Sequence, residues 1–325
     1  MISVVIPCYN EREVLPQLYA RMTAAAEAWG EPFEVVLVND GSHDDSWDMM
    51  REFHRRDPRW KAIRFARNFG HQTAVSAGLH YAGGDAVIVI DADLQDPPEE
   101  LRRFIAKWRE GYEVVYAVRT QRKEGVLLKL GYKVFYRLLA RLANIRIPLD
   151  SGDFSLMDRK VVDALEAMPE RNRFVRGLRS WAGFRQVGLE YERQPRAAGA
   201  PKYTLRKLVK LAMDGILSFS TAPLRLSMYF GFACSLVALV GAAYTLLERV
   251  WLAPEELSQV RGFTTIIISI LFLGGVQLMS LGVIGEYIGR IYDEVKGRPP
   301  WIIQEMVGID LPTAGRADAA TRASR

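Results

Sequence analysis

Two long stretches without a charged side chain constrain this chain more than any other feature of its sequence. The first runs from Ser227 to Leu247 and the second from Phe263 to Gly285. Each is long enough to cross a hydrocarbon core of about 30 Å as a helix. A pair of buried core helices is the weaker interpretation, because globular helices of this length usually keep a polar face. The sequence therefore predicts a C-terminal hairpin of two transmembrane helices.

Basic side chains around these stretches predict how the hairpin is oriented. They are concentrated at its two outer ends, whereas the connecting loop sets two arginines against three glutamates. Because positively charged flanks stay in the cytoplasm, both chain termini are predicted to be cytoplasmic. The outer basic residues are Arg206, Lys207, Lys210 and Arg225 before the first span, and Arg290, Lys296 and Arg298 after the second.

Charge and cysteine content exclude some other classes of protein. The formal net charge is +5, but the basic residues lie beside apolar stretches, which favours an anionic membrane surface over nucleic acid as a partner. Cys8 and Cys234 have no second cysteine or histidine at zinc-ligand spacing. We therefore expect neither a disulfide framework nor a structural zinc site, which suits a reducing compartment.

Up to about residue 118 the chain alternates between strand-like and helix-like patterns. This alternation is the sequence form of an α/β domain, in which a mainly parallel, Rossmann-like sheet carries helices on both faces. The predicted strands are 2–7, 33–38, 60–65, 86–90 and 113–118, and the predicted helices are 11–29, 44–54, 72–82 and 97–109.

Polar residues follow each predicted strand, where parallel sheets collect their ligands. The fourth strand ends in Asp91-Ala92-Asp93-Leu94-Gln95-Asp96, and three carboxylates so close together repel one another unless a cation joins them. Acids, amides and arginines on one rim fit a nucleotide with a divalent ion on its phosphates. Neither a G-x-G-x-x-G fingerprint nor a Walker lysine motif is present, so a dinucleotide or P-loop site lacks support.

Four motifs at these strand ends carry a resemblance to a known family. The chain resembles the family 2 glycosyltransferases with a GT-A fold, and within them the polyprenyl-phosphate glycosyltransferases related to dolichol-phosphate mannose synthase. The resemblance extends from residue 1 to about residue 300. The motifs are Val5-Ile6-Pro7-Cys8-Tyr9-Asn10-Glu11, Val38-Asn39-Asp40-Gly41-Ser42, Arg67-Asn68-Phe69-Gly70 and Asp91-Ala92-Asp93-Leu94-Gln95-Asp96-Pro97-Pro98.

The resemblance implies a division of the chain into three parts. A cytoplasmic GT-A catalytic domain would cover 1–220, the transmembrane hairpin 221–290, with spans at about 226–247 and 263–285, and a cytoplasmic tail 291–325. Amphipathic patterns near 124–144 and 204–219 predict two helices lying in the membrane interface. The first of these carries a basic stripe of Lys129, Lys133, Arg137 and Arg141.

The resemblance also implies roles for individual residues. Asp91 and Asp93 would hold Mg²⁺ or Mn²⁺ on the donor diphosphate, with Gln95 completing the shell, and Asp93 and Asp153 form the catalytic set. Asp153 would act as base or would position the acceptor. The implied nucleotide-binding residues are Pro7, Tyr9, Glu11, Asp40, Asp91 and Ala92, and the implied phosphate or acceptor ligands are Arg119, Arg122, Arg196, Lys202 and Tyr203.

Other residues near these motifs receive simpler interpretations. Pro201 stands where the family commonly has serine, which removes a hydroxyl contact from the segment 196–203. His71 is assigned to the start of a helix rather than to catalysis. Arg173 and Arg176 fit equally a solvated helix face and a contact with the acceptor or the membrane.

The implied activity is inverting, metal-dependent transfer of a sugar from a nucleotide diphosphate, best UDP-glucose, to undecaprenyl phosphate. It would take place at the cytoplasmic face of a bacterial inner membrane. UDP-N-acetylhexosamine, an amino-arabinose donor and GDP-mannose stay open as donors. A processive polysaccharide synthase fits less well, because two spans and no evident Q-x-x-R-W segment give no translocation channel. A noncatalytic membrane scaffold that senses nucleotide sugars is the alternative of another class.

The second apolar stretch also predicts close helix packing. Gln277 and the small residues Gly282, Gly285 and Gly289 lie within it or just beyond it. Such packing would occur within the hairpin or between protomers, and relatives form oligomers, so a homo-oligomer is expected.

Overall fold

The computed structural model describes residues 1–119, 151–171, 173–194, 221–251 and 261–309. The described part forms two compact units. One unit contains 1–119, the described residues of 151–194 and 298–309, and the other contains the described residues of 221–297. The predicted interface helices near 124–144 and 204–219 lie outside the described residues, as do Arg122, Arg196, Lys202 and Tyr203.

Eight strands of the described chain form one mixed sheet in the order β7-β5-β6-β4-β1-β2-β3-β8. Its centre, β4-β1-β2-β3, is parallel, which confirms the predicted α/β class. The strands are β1 Ile2–Cys8, β2 Phe33–Asn39, β3 Trp60–Phe65, β4 Ala86–Val89, β5 Val114–Arg119, β6 Ser151–Asp158, β7 Gln186–Tyr191 and β8 Ile303–Val307.

Helices cover both faces of this sheet. Every residue of β1 and β2 is buried, because parallel strands between two helical layers bury both faces. On one face Gly78 lies so close to β1 that a Cβ there would be 2.1 Å from Val5 Cγ1. The helices are α1 Leu15–Glu27, α2 Ser46–Arg56, α3 His71–Tyr81, α4 Leu101–Arg109, α5 Arg159–Glu166 and α6 Val175–Trp181, and a 3₁₀ turn, Pro98–Glu100, precedes α4.

Strand β6 is antiparallel to both of its neighbours in the sheet. It was not among the predicted strands. It lies between β4 and β5 and is antiparallel to both, with Ser155 opposite Val89 and Asp158 opposite Ala86. The start of β6 therefore lies at the same rim as the carboxyl ends of β4 and β5. This arrangement brings Asp153 to the rim that the sequence predicts for ligands.

The C-terminal segment differs from the prediction of a tail over 291–325. The second long helix continues to Val295, and β8 then adds an antiparallel edge strand to β3. Trp47 Nε1 donates to Glu305 Oε2 at 3.0 Å, and Ala66 N donates to Ile302 O at 2.9 Å. These pairings satisfy the edge of β3, so residues 303–307 belong to the unit that contains the sheet rather than to a tail.

The second unit contains two long helices that pack against each other, α7 Ala222–Trp251 and α8 Arg261–Val295. Their apolar windows, Pro223–Gly241 and Ile268–Val295, have mean hydropathies of 1.6 and 2.0, and none of either window is buried. Phe232 is 71% and Leu271 70% exposed. Because these side chains face outward, the interpretation as buried core helices is wrong, and the pair has the form of a membrane hairpin.

The glycines of α8 do not pack against the other helix of the hairpin. A Cβ at Gly282, Gly285 or Gly289 would meet no described atom within 4 Å. At these positions the described residues therefore show no close packing within the hairpin. Packing between protomers stays a prediction.

A buried polar network lies at the start of β2, at the end of the sheet opposite the rim. Glu34 accepts hydrogen bonds from Ser3 Oγ at 2.5 Å and from Gly83 N at 2.6 Å, and it pairs with Lys61 Nζ at 2.6 Å. Burial raises the pKa of Glu34, but the hydrogen bonds from Lys61, Ser3 and Gly83 together lower it below its usual value. The folded state therefore stabilises the carboxylate.

We expect Glu34→Gln to lower the free energy of unfolding at neutral pH by about 3 kcal/mol, because Lys61 loses its buried partner. A depressed folded-state pKa gives stability that is present above the unfolded pKa of about 4.5 and lost as the pH falls through the folded value. Wild type should thus lose stability in acid more steeply than the variant. Thermal unfolding in detergent at neutral and acidic pH measures both effects, with the surface variant Glu52→Gln as the control that changes neither.

Candidate active site

The acidic loop after β4 turns back on itself at the rim. Asp91 is half-buried, Asp93 is 8% exposed, and Gln95 N donates to Asp93 Oδ1 at 3.1 Å. Leu94, between Asp93 and Gln95, has φ +57°, a left-handed conformation that costs a non-glycine residue about 1 kcal/mol. Because the Leu94 side chain is buried, the fold holds this turn and keeps both aspartates at the end of β4.

Asp153 is the centre of a polar cluster beside this loop. The antiparallel register of β6, extended by two residues, sets it opposite Asp91. Its Oδ2 accepts from Gln72 Nε2 at 2.8 Å and lies 3.3 Å from His71 Nε2, and its Oδ1 lies 3.4 Å from an Arg176 guanidinium nitrogen. His71 Nε2 is also 3.7 Å from Asp91 Oδ1. The contacts therefore run in the order Asp91, His71, Asp153, Arg176.

The charges of this cluster shift its ionisation. Burial raises the pKa of Asp153, but the charges of Arg176 and His71 and the hydrogen bond from His71 hold it well below its usual range. Burial lowers the pKa of His71, yet Asp153 and Asp91 raise it to about 9. Burial raises the pKa of Asp91 to about 6; His71 opposes this rise, and neighbouring carboxylates add to it. At neutral pH Asp153 is thus a carboxylate and His71 an imidazolium.

Asp40 connects the loops after β2 and β3. Its buried carboxylate accepts from Phe69 N at 2.6 Å and from Gly70 N at 3.0 Å. The next residue, Gly41, has φ +66°, and a Cβ there would lie 2.4 Å from the carbonyl carbon of Arg67. The Asp40-Gly41 pair therefore lets two rim loops approach closely, and a contact of Asp40 with a nucleoside stays a prediction.

We expect Gly41→Ala to destabilise the fold by about 2 kcal/mol or more, because the new methyl group meets backbone that cannot move away easily. Gly30→Ala is the matched control. Gly30 has a similar φ of +70°, but a Cβ there meets no described atom within 4 Å. Thermal unfolding of both variants separates the backbone penalty, about 1 kcal/mol for Gly30→Ala, from the clash. Equal losses in the two variants would contradict the close approach of the loops.

The loop after β1 is fastened to the loop after β2. Asn10, at φ +54°, receives a backbone hydrogen bond from His43 on its Oδ1 and donates its own N–H to Ser42 Oγ, both at 2.9 Å. Glu11 N donates to Ser46 Oγ at 3.1 Å, and the ring of Tyr9 meets that of His43 edge-on.

The predicted nucleotide-binding residues lie at or beside this rim. Tyr9, Glu11 and Asp40 belong to the joined loops, whereas Pro7 is buried within β1 and Ala92 is buried in the acidic loop. The structure thus brings the predicted set to one rim. Its nucleoside contacts stay a prediction.

The remaining predicted ligands are placed only in part. Arg119 is the last residue of β5, at the same rim. Gln95 donates from Nε2 to Gln194 O at 3.5 Å, and Gln194 N donates to Gln95 O at 3.0 Å. The acidic loop therefore lies beside the residues that lead into 196–203. Asp96, at the end of this loop, accepts a hydrogen bond from the Tyr191 hydroxyl.

Sequence reasoning missed three residues of this cluster, His71, Gln72 and Arg179, and left Arg176 open between a solvated face and a contact with the acceptor or the membrane. The assignment of His71 to a helix start is correct, but its ring contacts both Asp153 and Asp91. A usable signal was present, since α3 begins after β3 and its first turn therefore faces the rim. Arg176 is not on a solvated face, because its side chain is 19% exposed and pairs with Asp153.

The acidic loop fits a divalent ion shared with a substrate better than an all-protein metal cage. Within the described ranges, no group of three or more histidine, cysteine, aspartate or glutamate residues is arranged to hold a metal. Mg²⁺ is commonly bound by one or two carboxylates together with substrate phosphates, and carboxylate oxygens also suit Mn²⁺. Asp91 and Asp93 would supply that donor set.

The chain thus combines a mainly parallel sheet, an acid pair after the fourth strand and a C-terminal hairpin of two apolar helices. Two family models match the chain accordingly. "Glycosyl transferase family 2" matches residues 3–166, and "GtrB C-terminal hairpin" matches residues 222–291. The chain belongs to glycosyl transferase family 2, and the predicted enzyme class and the C-terminal hairpin of apolar helices are confirmed.

Two curated relatives are similar over nearly the whole chain. The uncharacterized glycosyltransferase YkcC of Bacillus subtilis is 50% identical, over 95% of this chain and 94% of that protein. The bactoprenol glucosyl transferase of Shigella phage SfII is 43% identical, over 94% and 97%. Among solved structures, glucosyl-3-phosphoglycerate synthase from Mycobacterium tuberculosis is more distant, with 17% identity and a TM-score of 0.44 over 67% of this chain and 77% of that chain.

Proposed function

We propose that this enzyme transfers a sugar from a nucleotide diphosphate, best UDP-glucose, to a polyprenyl phosphate, best undecaprenyl phosphate, with inversion at the anomeric carbon. The reaction would take place at the cytoplasmic face of a bacterial inner membrane, with both termini in the cytoplasm. The name of the phage relative, a bactoprenol glucosyl transferase, supports both the sugar and the lipid.

The environment of Asp153 is the observation that carries this proposal. Arg176, Gln72 and His71 hold its carboxylate, and its pKa lies well below the usual range, so it is a poor acceptor of protons. A sugar hydroxyl needs a base to become a nucleophile, whereas a phosphate monoester is already anionic near neutral pH. A site that holds Asp153 as an ion pair therefore suits a phosphate acceptor, and Asp153 positions rather than deprotonates.

The donor side of the site is formed by the acidic loop. Asp91 and Asp93 would hold Mg²⁺ or Mn²⁺ against the diphosphate, and the loops that carry Tyr9, Glu11 and Asp40 would hold the nucleoside. When bound, the ion supplies Lewis acidity that stabilises charge on the departing diphosphate. Asp91 is crowded by the like charges of Asp96, Asp153 and Asp93, which a divalent cation would relieve.

Purified full-length protein in detergent tests the proposal. With UDP-glucose, Mg²⁺ and undecaprenyl phosphate, we expect UDP release together with a glucosylated lipid whose anomeric configuration is opposite to that of the donor. UDP-N-acetylhexosamine, an amino-arabinose donor and GDP-mannose, used in parallel, rank the donors. Failure to form a lipid-linked sugar from any donor, or retention of configuration, would refute the proposal.

A further inference from the structure

Helix α6 and the residues before it place three arginines at a spacing of three, and one of them is buried without enough partners. Arg179 is 1% exposed, and its Nε and Nη2 have no hydrogen-bond acceptor among the described residues. Arg176 Nε is likewise buried without an acceptor. Arg173 donates from its Nη2 to Leu165 O, although its Nε too is buried without an acceptor among the described residues. Arg176 and Arg179 are called the α6 arginine pair below.

Charge around the α6 arginine pair is unbalanced. Asp153 pairs with Arg176 at 3.4 Å, while the Arg179 guanidinium carbon lies 5.6 Å from the centre of the Tyr116 ring. Burial lowers the pKa of Arg179 to about 10, and the charge of Arg176 adds to this effect. A buried guanidinium is normally paired, and the carboxylate whose charge acts on Arg179, Asp153, already pairs with Arg176, so the two arginines call for a further anion.

The order of contacts gives this anion a position. Asp91 connects through His71 to Asp153 Oδ2, and Arg176 lies at Oδ1 of the same carboxylate, while the charges of both Arg176 and Asp153 act on Arg179. The donor diphosphate belongs with Asp91 and Asp93. An anion held by the α6 arginine pair would therefore be separated from the diphosphate by Asp153. In an inverting displacement, the nucleophile and the leaving group occupy opposite sides of the reacting carbon.

We propose that Arg176 and Arg179 form the subsite for the phosphate group of the acceptor lipid. This inference rests on the proposed function. One phosphate oxygen forms the new bond to the anomeric carbon, and the bond from that carbon to the diphosphate oxygen breaks. Its electron pair leaves with the nucleoside diphosphate, so no proton has to move.

Gln72 fixes this subsite to the rim. It donates from Nε2 to Asp153 Oδ2 at 2.8 Å and accepts on Oε1 from Val175 N at 3.0 Å. The same side chain therefore joins the start of α6 to the carboxylate between the two substrates. Gln72 acts as a positioning residue, since it holds Asp153 and α6 in one arrangement.

Arg176→Met and Arg179→Met test the subsite, with a short-chain polyprenyl phosphate as acceptor and UDP-glucose as donor. We expect the KM for the lipid phosphate to rise about 10- to 100-fold, because a charge-assisted hydrogen bond to phosphate is lost. The KM for UDP-glucose should stay within about twofold. Arg179→Lys should recover part of the loss, and Arg185→Met, at an exposed arginine stacked on Tyr112, is the control without effect.

Equilibrium binding in the absence of donor keeps the inference testable if Arg179→Met does not fold. Calorimetric titration of wild type and Arg176→Met, whose side chain is partly exposed, uses the lipid phosphate, inorganic phosphate and the prenyl alcohol. We expect wild type to bind the lipid phosphate and Arg176→Met to lose that binding about 10-fold or more, with the alcohol unaffected. Binding of inorganic phosphate with the same dependence would show that the headgroup alone is recognised.

Three results would overturn the subsite. They are an unchanged KM for the lipid phosphate, an equal rise in the KM for UDP-glucose, and an equal loss of prenyl alcohol binding. Failure of the proposed function looks different, because wild type itself would then transfer no sugar to a lipid phosphate. The titration decides the subsite in that case as well.

Discussion

Asp93→Asn should lower the rate of sugar transfer by about a thousandfold while the protein stays folded. The substitution removes one of the two carboxylates available to a divalent ion, and the stabilisation that such an ion gives to a leaving diphosphate is worth several kcal/mol. The asparagine keeps an oxygen that accepts the Gln95 N–H, so the acidic loop retains its turn. Nucleotide release with UDP-glucose, Mg²⁺ and undecaprenyl phosphate measures the effect.

Asp45→Asn is the matched control for this prediction. Asp45 is exposed in the loop after β2 and pairs with Arg12 at the surface, so its variant should stay within about twofold of wild type. Mn²⁺ affinity in the presence of UDP provides a second readout, and it should fall for Asp93→Asn but not for Asp45→Asn. Undiminished metal-dependent turnover in Asp93→Asn would show that the acid pair does not hold the catalytic metal ion.

Asp153→Asn should lower kcat by about a hundredfold, because the carboxylate aligns His71 and Arg176 around the reacting groups, and small misplacements cost about that factor. If Asp153 positions an acceptor that is already ionised, the loss should not become smaller between about pH 6.5 and about pH 8.5. If the substitution removed a general base instead, hydroxide would partly replace that base as the pH rises. The deficit in kcat would then shrink. The ratio of wild-type to variant kcat across this range is the measurement.

The control for Asp153→Asn is Asp163→Asn on α5. The Asp163 side chain is 60% exposed and lies 3.8 Å from Arg159, so its loss should leave kcat unchanged. A deficit in Asp153→Asn that disappears at the upper pH would restore the role of general base, which the ion pairs around this residue argue against.

The central sheet was predictable because parallel strands buried on both faces appear as uninterrupted apolar runs. β1, β2 and β3 lie within a residue of their predicted limits, and the acidic loop follows β4 as expected. β6 and β8 were not predictable in this way. β6 pairs with strands that precede it by more than thirty residues, and β8 returns to the sheet only after the membrane hairpin. Register between distant segments is not encoded in local periodicity.

The residues of the candidate active site were predictable where they lie in recognisable motifs at strand ends. Asp91, Asp93, Asp40 and Asp153 carry recognisable motifs. The partners of Asp153 do not, since His71 and Gln72 stand at the start of a helix and look like ordinary helix residues. The left-handed turn at Leu94 is held by burial of that side chain, which depends on the completed fold.

The helix glycines show the same limit in the second unit. Gly282, Gly285 and Gly289 predict close packing. Within one chain, however, no described atom lies within 4 Å of a Cβ placed at any of them. Whether a second protomer occupies the space beside them depends on assembly, which a single sequence does not specify. A homo-oligomer therefore stays a prediction that chemical cross-linking in detergent can test.

The proposed function requires that the acid pair at the end of β4, Asp91 and Asp93, binds a divalent ion on the donor diphosphate. The most direct test is a crystal structure of the protein with Mn²⁺ and UDP, in which anomalous scattering locates the metal. We expect a manganese peak about 2.1 Å from carboxylate oxygens of Asp91 and Asp93 and from diphosphate oxygens. A peak elsewhere, or UDP bound away from the ends of β1, β2 and β4, would contradict it.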